Sequence, residues 1–184
     1  MAAGRQRRPR CQPSSGGWAD HGPSQRRRDH SRLRDMNFIP ICLRITDRKV
    51  LIVGGGRVAR QKLETLLQYT REVLVRAPEV AQEIEQAGIE VERLPYDPDC
   101  LEGMGLVFAC TNDRAVNRRV VEDARGRGIL VCSADDPGYS DFVSPAIVKA
   151  GHMSVAVSSD ARDVKRAISW RNSVRRKVEQ GDLE

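Results

Sequence analysis

Lys49-Val50-Leu51-Ile52-Val53-Gly54-Gly55-Gly56-Arg57-Val58-Ala59 is the stretch that decides the fold. A short, largely apolar strand enters a glycine triplet. Apolar residues then recur at Val58, Leu63, Leu66 and Leu67, the three- and four-residue spacing of an amphipathic helix. Gly54-x-Gly56-x-x-Ala59, placed between a strand and a helix, has the form of a dinucleotide-binding fingerprint. Its first glycine permits the tight turn, the second lets the backbone approach a pyrophosphate, and Ala59 lets helix and strand pack closely. The phosphates then meet the free N–H groups at the helix start. A glycine-rich turn alone is weak evidence; the strand–helix–strand context is what gives it weight.

Working outward, Glu72–Arg76 reads as a second strand and Pro78–Ala87 as a second helix closed by Gly88. Ile89–Leu94 alternates like an edge strand, and Gly105–Cys110 is a fully apolar one. Thr111-Asn112-Asp113 offers an N-cap to a helix running through Val116, Val120 and Val121 to Gly126-Arg127-Gly128, and Ile129–Cys132 is a fifth strand. Apolar strands alternating with helices predict an α/β Rossmann-type parallel sheet with helices on both faces. After Asp135 the pattern changes. Phe142–Ala150 and Met153–Val157 read as a β-hairpin turning at Ala150-Gly151, and Ala161–Gln180 as one long Arg- and Lys-rich helix. The apolar stripe on that helix is thin, which suits packing on a partner, so a small dimerisation element and a symmetric homodimer are expected. The expected division is a tail over 1–35, a nucleotide-binding domain over 36–141 and a dimerisation and substrate-contact element over 142–184.

Charge separates the tail from the rest. Residues 1–35 hold nine of the 31 basic side chains and three of the 25 acidic ones, so the body from Met36 carries 22 of each. The net charge of +6 belongs to the tail, and the body lacks the basic excess of a nucleic-acid-binding fold. The tail is Arg, Ser, Gly, Pro and Gln, too polar to offset its ordering entropy, and is expected to be disordered. It reads as a basic arm, as an Arg-rich transit peptide, or, preferred here, as translated sequence upstream of a true start at Met36. Removing residues 1–35 should leave the melting temperature and nucleotide binding unchanged, and a drop in either would show that the tail packs or binds. No apolar run approaches the roughly 18 residues of a membrane span. The first 35 residues also lack the apolar core of a secretory leader. Five cysteines without a C-x-x-C pair argue against a disulfide framework or structural zinc, and point to a reducing cytoplasm.

Several further blocks, in order, resemble the precorrin-2 dehydrogenase family, which includes the N-terminal part of siroheme synthases. They are Phe38-Ile39-Pro40-Ile41, similar to a short opening strand; Asp47–Gly56 with Val58-Ala59 and Lys62; Ala109-Cys110-Thr111-Asn112-Asp113 with Val116-Asn117; Asp135-Asp136-Pro137 with Phe142 and Pro145-Ala146; and Val155–Ser159. The resemblance runs from Asn37 to about Ser159. It implies NAD-dependent oxidation of precorrin-2 to sirohydrochlorin, towards siroheme or cobalamin, with iron insertion in some members. It also implies a catalytic role for Asp135, cofactor contacts at Arg57, Val58, Pro78 and Glu79 beside the glycines and Thr111-Asn112, and a serine at the last strand end, Ser159. The chain departs from the family at Asp160-Ala161-Arg162-Asp163-Val164, where a small-residue turn ending in Ser-Pro is usual.

The residues support part of this independently. Asp135 lies just past the fifth strand, and open α/β sheets bind ligands beyond the carboxyl ends of their strands. A carboxylate there can accept the proton released when a hydride leaves a reduced tetrapyrrole. Asp135-Asp136-Pro137-Gly138 is equally a solvated turn by composition; the resemblance favours catalysis, with Asp135 ahead of Asp136. Arg114 and Lys149 are candidates for the substrate's carboxylates, alongside Arg118, Arg119 and Arg162. His152, the only histidine in the body, has no partner at metal-ligand spacing, and no metal site is expected. At the end of the second strand the usual acidic residue is replaced by Arg76, which is either an exposed strand end or a contact for the 2′-phosphate of NADP; Glu79 can still take the ribose hydroxyls. The competing class is a non-catalytic NAD-binding sensor, which needs no carboxylate beside the nicotinamide.

Overall fold

The computed structural model describes residues 36–182, so the expectations for residues 1–35 fall outside the described residues. Five parallel strands form the sheet: β1 (Lys49–Val53), β2 (Val73–Arg76), β3 (Glu90–Glu92), β4 (Met104–Ala109) and β5 (Leu130–Ser133), in the order β3-β2-β1-β4-β5. The helices are α1 (Arg57–Leu66), the single turn α2 (Gln82–Glu85) and α3 (Arg114–Gly126).

Strand side chains alternate between faces, and both faces are covered. Val50, Ile52, Val75 and Phe108 pack with Leu63 and Leu66 of α1. Leu51, Val53, Val107 and Val131 pack with Val120, Val121 and Ala124 of α3. Two buried faces require apolar side chains at successive positions, which is why these strands read as continuous apolar runs. Asp113 caps α3, its carboxylate accepting from the amides of Ala115 (2.8 Å) and Val116 (3.4 Å).

The segment read as one helix over Pro78–Ala87 keeps only α2. Pro78–Ala81 instead passes over the glycine loop, with the Ala81 amide donating to the Gly55 carbonyl at 2.9 Å. Phe38–Ile41 does not form the short strand that the resemblance implied. It is irregular, and Ile39 and Ile41 are 81% and 71% exposed.

Beyond the sheet, β6 (Ala146–Ala150) and β7 (Met153–Val157) form an antiparallel hairpin, and α4 (Val164–Glu179) starts at the Asp163 cap. Phe142 meets Phe108 edge-on at 5.4 Å between ring centroids, anchoring the segment that leads into the hairpin. Tyr69, just past α1, bonds Ser154 on β7 (3.1 Å). Only Val148 and Ala167 of these last elements are buried, while Met153, Val155, Val164, Ile168 and Trp170 are exposed. At the departure from the family turn, Asp160 and Ala161 both adopt left-handed backbone (φ 51° and 58°).

Candidate active site

Strand order reverses between β1 and β4: the chain moves outward through β2 and β3, then returns to β4 on the other side. The loops after β1 and β4 therefore diverge above the sheet and leave a crevice, the usual ligand position in such folds. The crevice is about 820 Å³ and is lined by Gly54–Val58, Arg76–Ala81, Pro95, Tyr96 and Cys110–Asp113, among others. All nine expected cofactor contacts (Gly54, Gly55, Gly56, Arg57, Val58, Pro78, Glu79, Thr111 and Asn112) line this one space.

The glycines fit a dinucleotide for distinct reasons. Gly54 has φ +126°, and a Cβ there would lie 2.6 Å from the Cys110 carbonyl oxygen. A Cβ on Gly55 would overlap the Glu79 carbonyl and come within 2.8 Å of Val80 Cα. Gly56 faces open space with nothing within 4 Å, at the start of α1 where no side chain caps the helix. Free amides and an uncovered approach are what a pyrophosphate needs.

Arg76 is not an exposed strand end: it lines the crevice with its guanidinium already paired. Its side chain is 13% exposed, with Nη1 2.8 Å from Glu92 Oε2 and Nε donating to the Pro95 carbonyl at 2.8 Å. Glu92 on β3 supplies the partner that motif spacing along one strand does not reveal. Pro95 and Tyr96 are crevice residues that sequence reasoning missed. Tyr96 is held by its hydroxyl donating to Asp123 (3.0 Å) and by the Arg119 guanidinium over its ring; burial, then the Asp123 bond, push its phenol well above the ordinary range.

Asp135 lies beyond β5 and outside the lining of this crevice. Its Oδ1 accepts from Ser133 Oγ (2.7 Å) and Asn117 Nδ2 (3.1 Å), and its Oδ2 lies 3.8 Å from Arg114 Nε. Asp136 has a different duty: its carboxylate accepts from the Gly138 amide (2.9 Å) and caps the short 3₁₀ turn Pro137–Tyr139. Asn117 connects the Asp135 carboxylate to the crevice, because it also bonds Thr111 on the crevice lip. The signal for it was present. Asn117 shares the inward stripe of α3 with Val120, Val121 and Ala124, and a polar residue in such a stripe needs buried partners.

Other candidates are placed elsewhere. Lys149 stands over the Tyr69 ring (4.7 Å), beside the C-terminal end of α1 and so towards the opposite edge of the sheet from Asp135. Ser159 accepts from the Asp163 amide (3.1 Å) at the start of α4. Arg118 stacks on Tyr139, Arg119 pairs with Asp123, and Arg162 bonds the Met36 carbonyl. His152 sits exposed in the hairpin turn. Cys110 and Cys132 are buried, and burial raises both thiols, Cys110 to about 12, so both behave as hydrophobes. Among the described residues, no cluster of three or more His, Cys, Asp or Glu side chains is placed to hold a metal, and no helix is long and apolar enough to cross a membrane.

Residues 41–146 match a family model described as "Putative NAD(P)-binding". The chain belongs to this family. It is also 44% identical over 128 residues to the siroheme synthase of Chromobacterium violaceum and 38% identical over 128 residues to that of Photorhabdus laumondii. Each match covers 67% of this chain but 27% of the relative, so the chain spans about a quarter of those proteins' length. Among solved structures, it is similar to "SirC, precorrin-2 dehydrogenase", with a TM-score of 0.65 and 26% identity over 74% of this chain and 69% of that one. The parallel sheet with its added hairpin and helix, and the resemblance seen in the motifs, are both borne out.

Proposed function

We propose that this protein oxidises precorrin-2 to sirohydrochlorin with NAD as acceptor, in the formation of siroheme. The observation that carries this is Asp135: a carboxylate at the carboxyl edge of the sheet, held on one oxygen by two neutral donors and joined through Asn117 to the nucleotide crevice. The substrate class is supported by the names of the similar proteins. Dehydrogenation removes a hydride from one carbon and a proton from its neighbour. Bound NAD is the hydride acceptor, giving NADH. Gly54–Gly56 and the first turn of α1 would hold its pyrophosphate, and Pro78, Glu79, Tyr96, Thr111 and Asn112, which line the same crevice, would flank the rest of the dinucleotide. Asp135 takes the proton at Oδ2, and Arg114 beside it meets a substrate carboxylate.

The test is NADH production from precorrin-2 by the purified chain. Absorbance at 340 nm should rise only when protein, NAD and precorrin-2 are all present. NAD binding without any such rise would leave the sensor function instead. Cofactor choice follows from Arg76. A 2′-phosphate would have to displace Glu92 from the guanidinium, so NAD should be preferred over NADP by about tenfold or more in kcat/KM, an Arg–carboxylate pair being a strong competitor. Glu92→Gln should narrow that preference; equal use of the two cofactors by the parent would overturn it.

The division at 141/142 into a nucleotide-binding unit and a dimerisation and substrate-contact element belongs to the same proposal. So do a homodimer in the cytoplasm and siroheme as the end product. The dimer is supported by the exposed Met153, Val155, Val164, Ile168 and Trp170 on elements with almost no buried side chains of their own. Sedimentation at micromolar concentration should give the mass of two chains, and a monomer would count against it.

A further inference from the structure

Among the described residues two polar side chains are buried in the core, and both bond to Asp135: Asn117 at 1% exposure and Ser133 at 5%. The orientation of the Asn117 amide is dictated by chemistry. The Thr111 N–H only donates, so the oxygen 3.0 Å from it is Oδ1. The Thr111 carbonyl only accepts, so the group 3.0 Å from it is the NH₂, which also donates to Asp135 Oδ1 at 3.1 Å. Thr111 Oγ1 lies a further 2.8 Å from Asn117 Oδ1. Every hydrogen-bonding direction of this side chain is therefore committed, three to Thr111 on the crevice lip and one to the Asp135 carboxylate.

We infer that Asn117 is a positioning residue that ties the Thr111–Asp113 lip of the nucleotide crevice to the Asp135 carboxylate, so that Oδ1 is saturated by Asn117 and Ser133 and Oδ2 is the oxygen that receives the proton. This rests on the proposed role of Asp135 as base. The charged and titratable groups around that carboxylate are Arg114 on α3, Cys110 at the end of β4 and Asp136 next in the chain, which is bonded to the Gly138 amide. Ser140 completes the surround, its hydroxyl accepting from the Ser133 amide at 2.9 Å.

Asn117→Asp tests this with little change of shape. It keeps an oxygen facing the Thr111 amide but sets a second carboxylate oxygen against Asp135 Oδ1. A like charge disfavours ionisation of the base, so the acid limb of the kcat–pH profile should move up by about one unit or more. On the acid limb, at a fixed pH, kcat should fall about tenfold for each unit that the limb moves, while KM for NAD changes less than about threefold. Ser133→Ala removes the other donor and should move the limb the same way by a smaller amount; Ser133→Thr restores the hydroxyl and should restore the limb. The same shift should be seen without turnover, in the pH titration of the Asp135 carboxyl carbon by NMR of the NAD-bound chain. If the parent does not oxidise precorrin-2, the functional proposal fails on its own and this titration still judges Asn117. Should Asn117→Asp not fold, the Ser133 pair decides. Unchanged limbs and titrations, with losses only in melting temperature or NAD affinity, would make Asn117 a structural staple and overturn the inference.

Discussion

Asp135→Asn should lower the rate of precorrin-2 oxidation by ~10²–10⁴-fold, the usual worth of a general base, with NAD affinity within a few-fold of the parent. Asn keeps the shape and can still accept from Ser133 and Asn117 through its carbonyl oxygen. The atom lost is the acceptor at Oδ2, replaced by an NH₂ facing Arg114, 3.8 Å away. That group can neither take up a proton at neutral pH nor attract the guanidinium. Nucleotide binding depends on the backbone of Gly54–Gly56 beyond β1, a different strand end. Asp136→Asn is the control. Its carboxylate caps the Pro137–Tyr139 turn, a duty that Asn also performs, so the loss should be small in both rate and stability. Parental rates in Asp135→Asn would remove the residue from the chemistry; comparable losses in both variants would assign the pair to the turn.

The line between what was legible in the sequence and what was not follows the range of the interactions. The fingerprint, the apolar strands and the Asp113 cap are local signals, and each element formed within a few residues of its expected place. The Pro78–Ala87 helix was wrong at its first half because Pro78–Ala81 must lie against Gly55, a contact made across two strands. Arg76 was ambiguous for the same reason: its partner Glu92 is on the neighbouring strand, and only the β2–β3 register, Arg76↔Glu92, brings them together. Periodicity showed that Lys149 lies in a β-run but not which end of the sheet that end of the hairpin reaches; docking on Tyr69 settles it. The Asp135 pair could not be split by composition, since both residues suit a turn. It is split by geometry, one carboxylate bonding the turn amide and the other the Asn117 and Ser133 side chains.

Adjacent glycines in the same loop should respond in opposite ways to the same methyl group. A Cβ on Gly55 overlaps the Glu79 carbonyl and approaches Val80 Cα within 2.8 Å, so backbone rather than a flexible side chain would have to move. The backbone concerned is the Pro78–Ala81 segment, whose Ala81 amide bonds Gly55 itself, and which leads into buried Ile84. Gly55→Ala should therefore cost about 3–5 kcal/mol, a large part of the stability of a domain this size, and yield little folded protein. Gly56→Ala meets nothing within 4 Å and has an ordinary φ of −91°, so its melting temperature should match the parent. Its methyl projects into open space where the pyrophosphate must approach the α1 amides, and NAD affinity should fall about tenfold or more. Thermal melts and NAD titrations on both variants check this. If Gly56→Ala binds NAD like the parent, the phosphates do not sit at the start of α1, and the crevice holds the nucleotide in some other pose. If Gly55→Ala folds normally, the Pro78–Ala81 segment is free to move and does not form a fixed wall of the site.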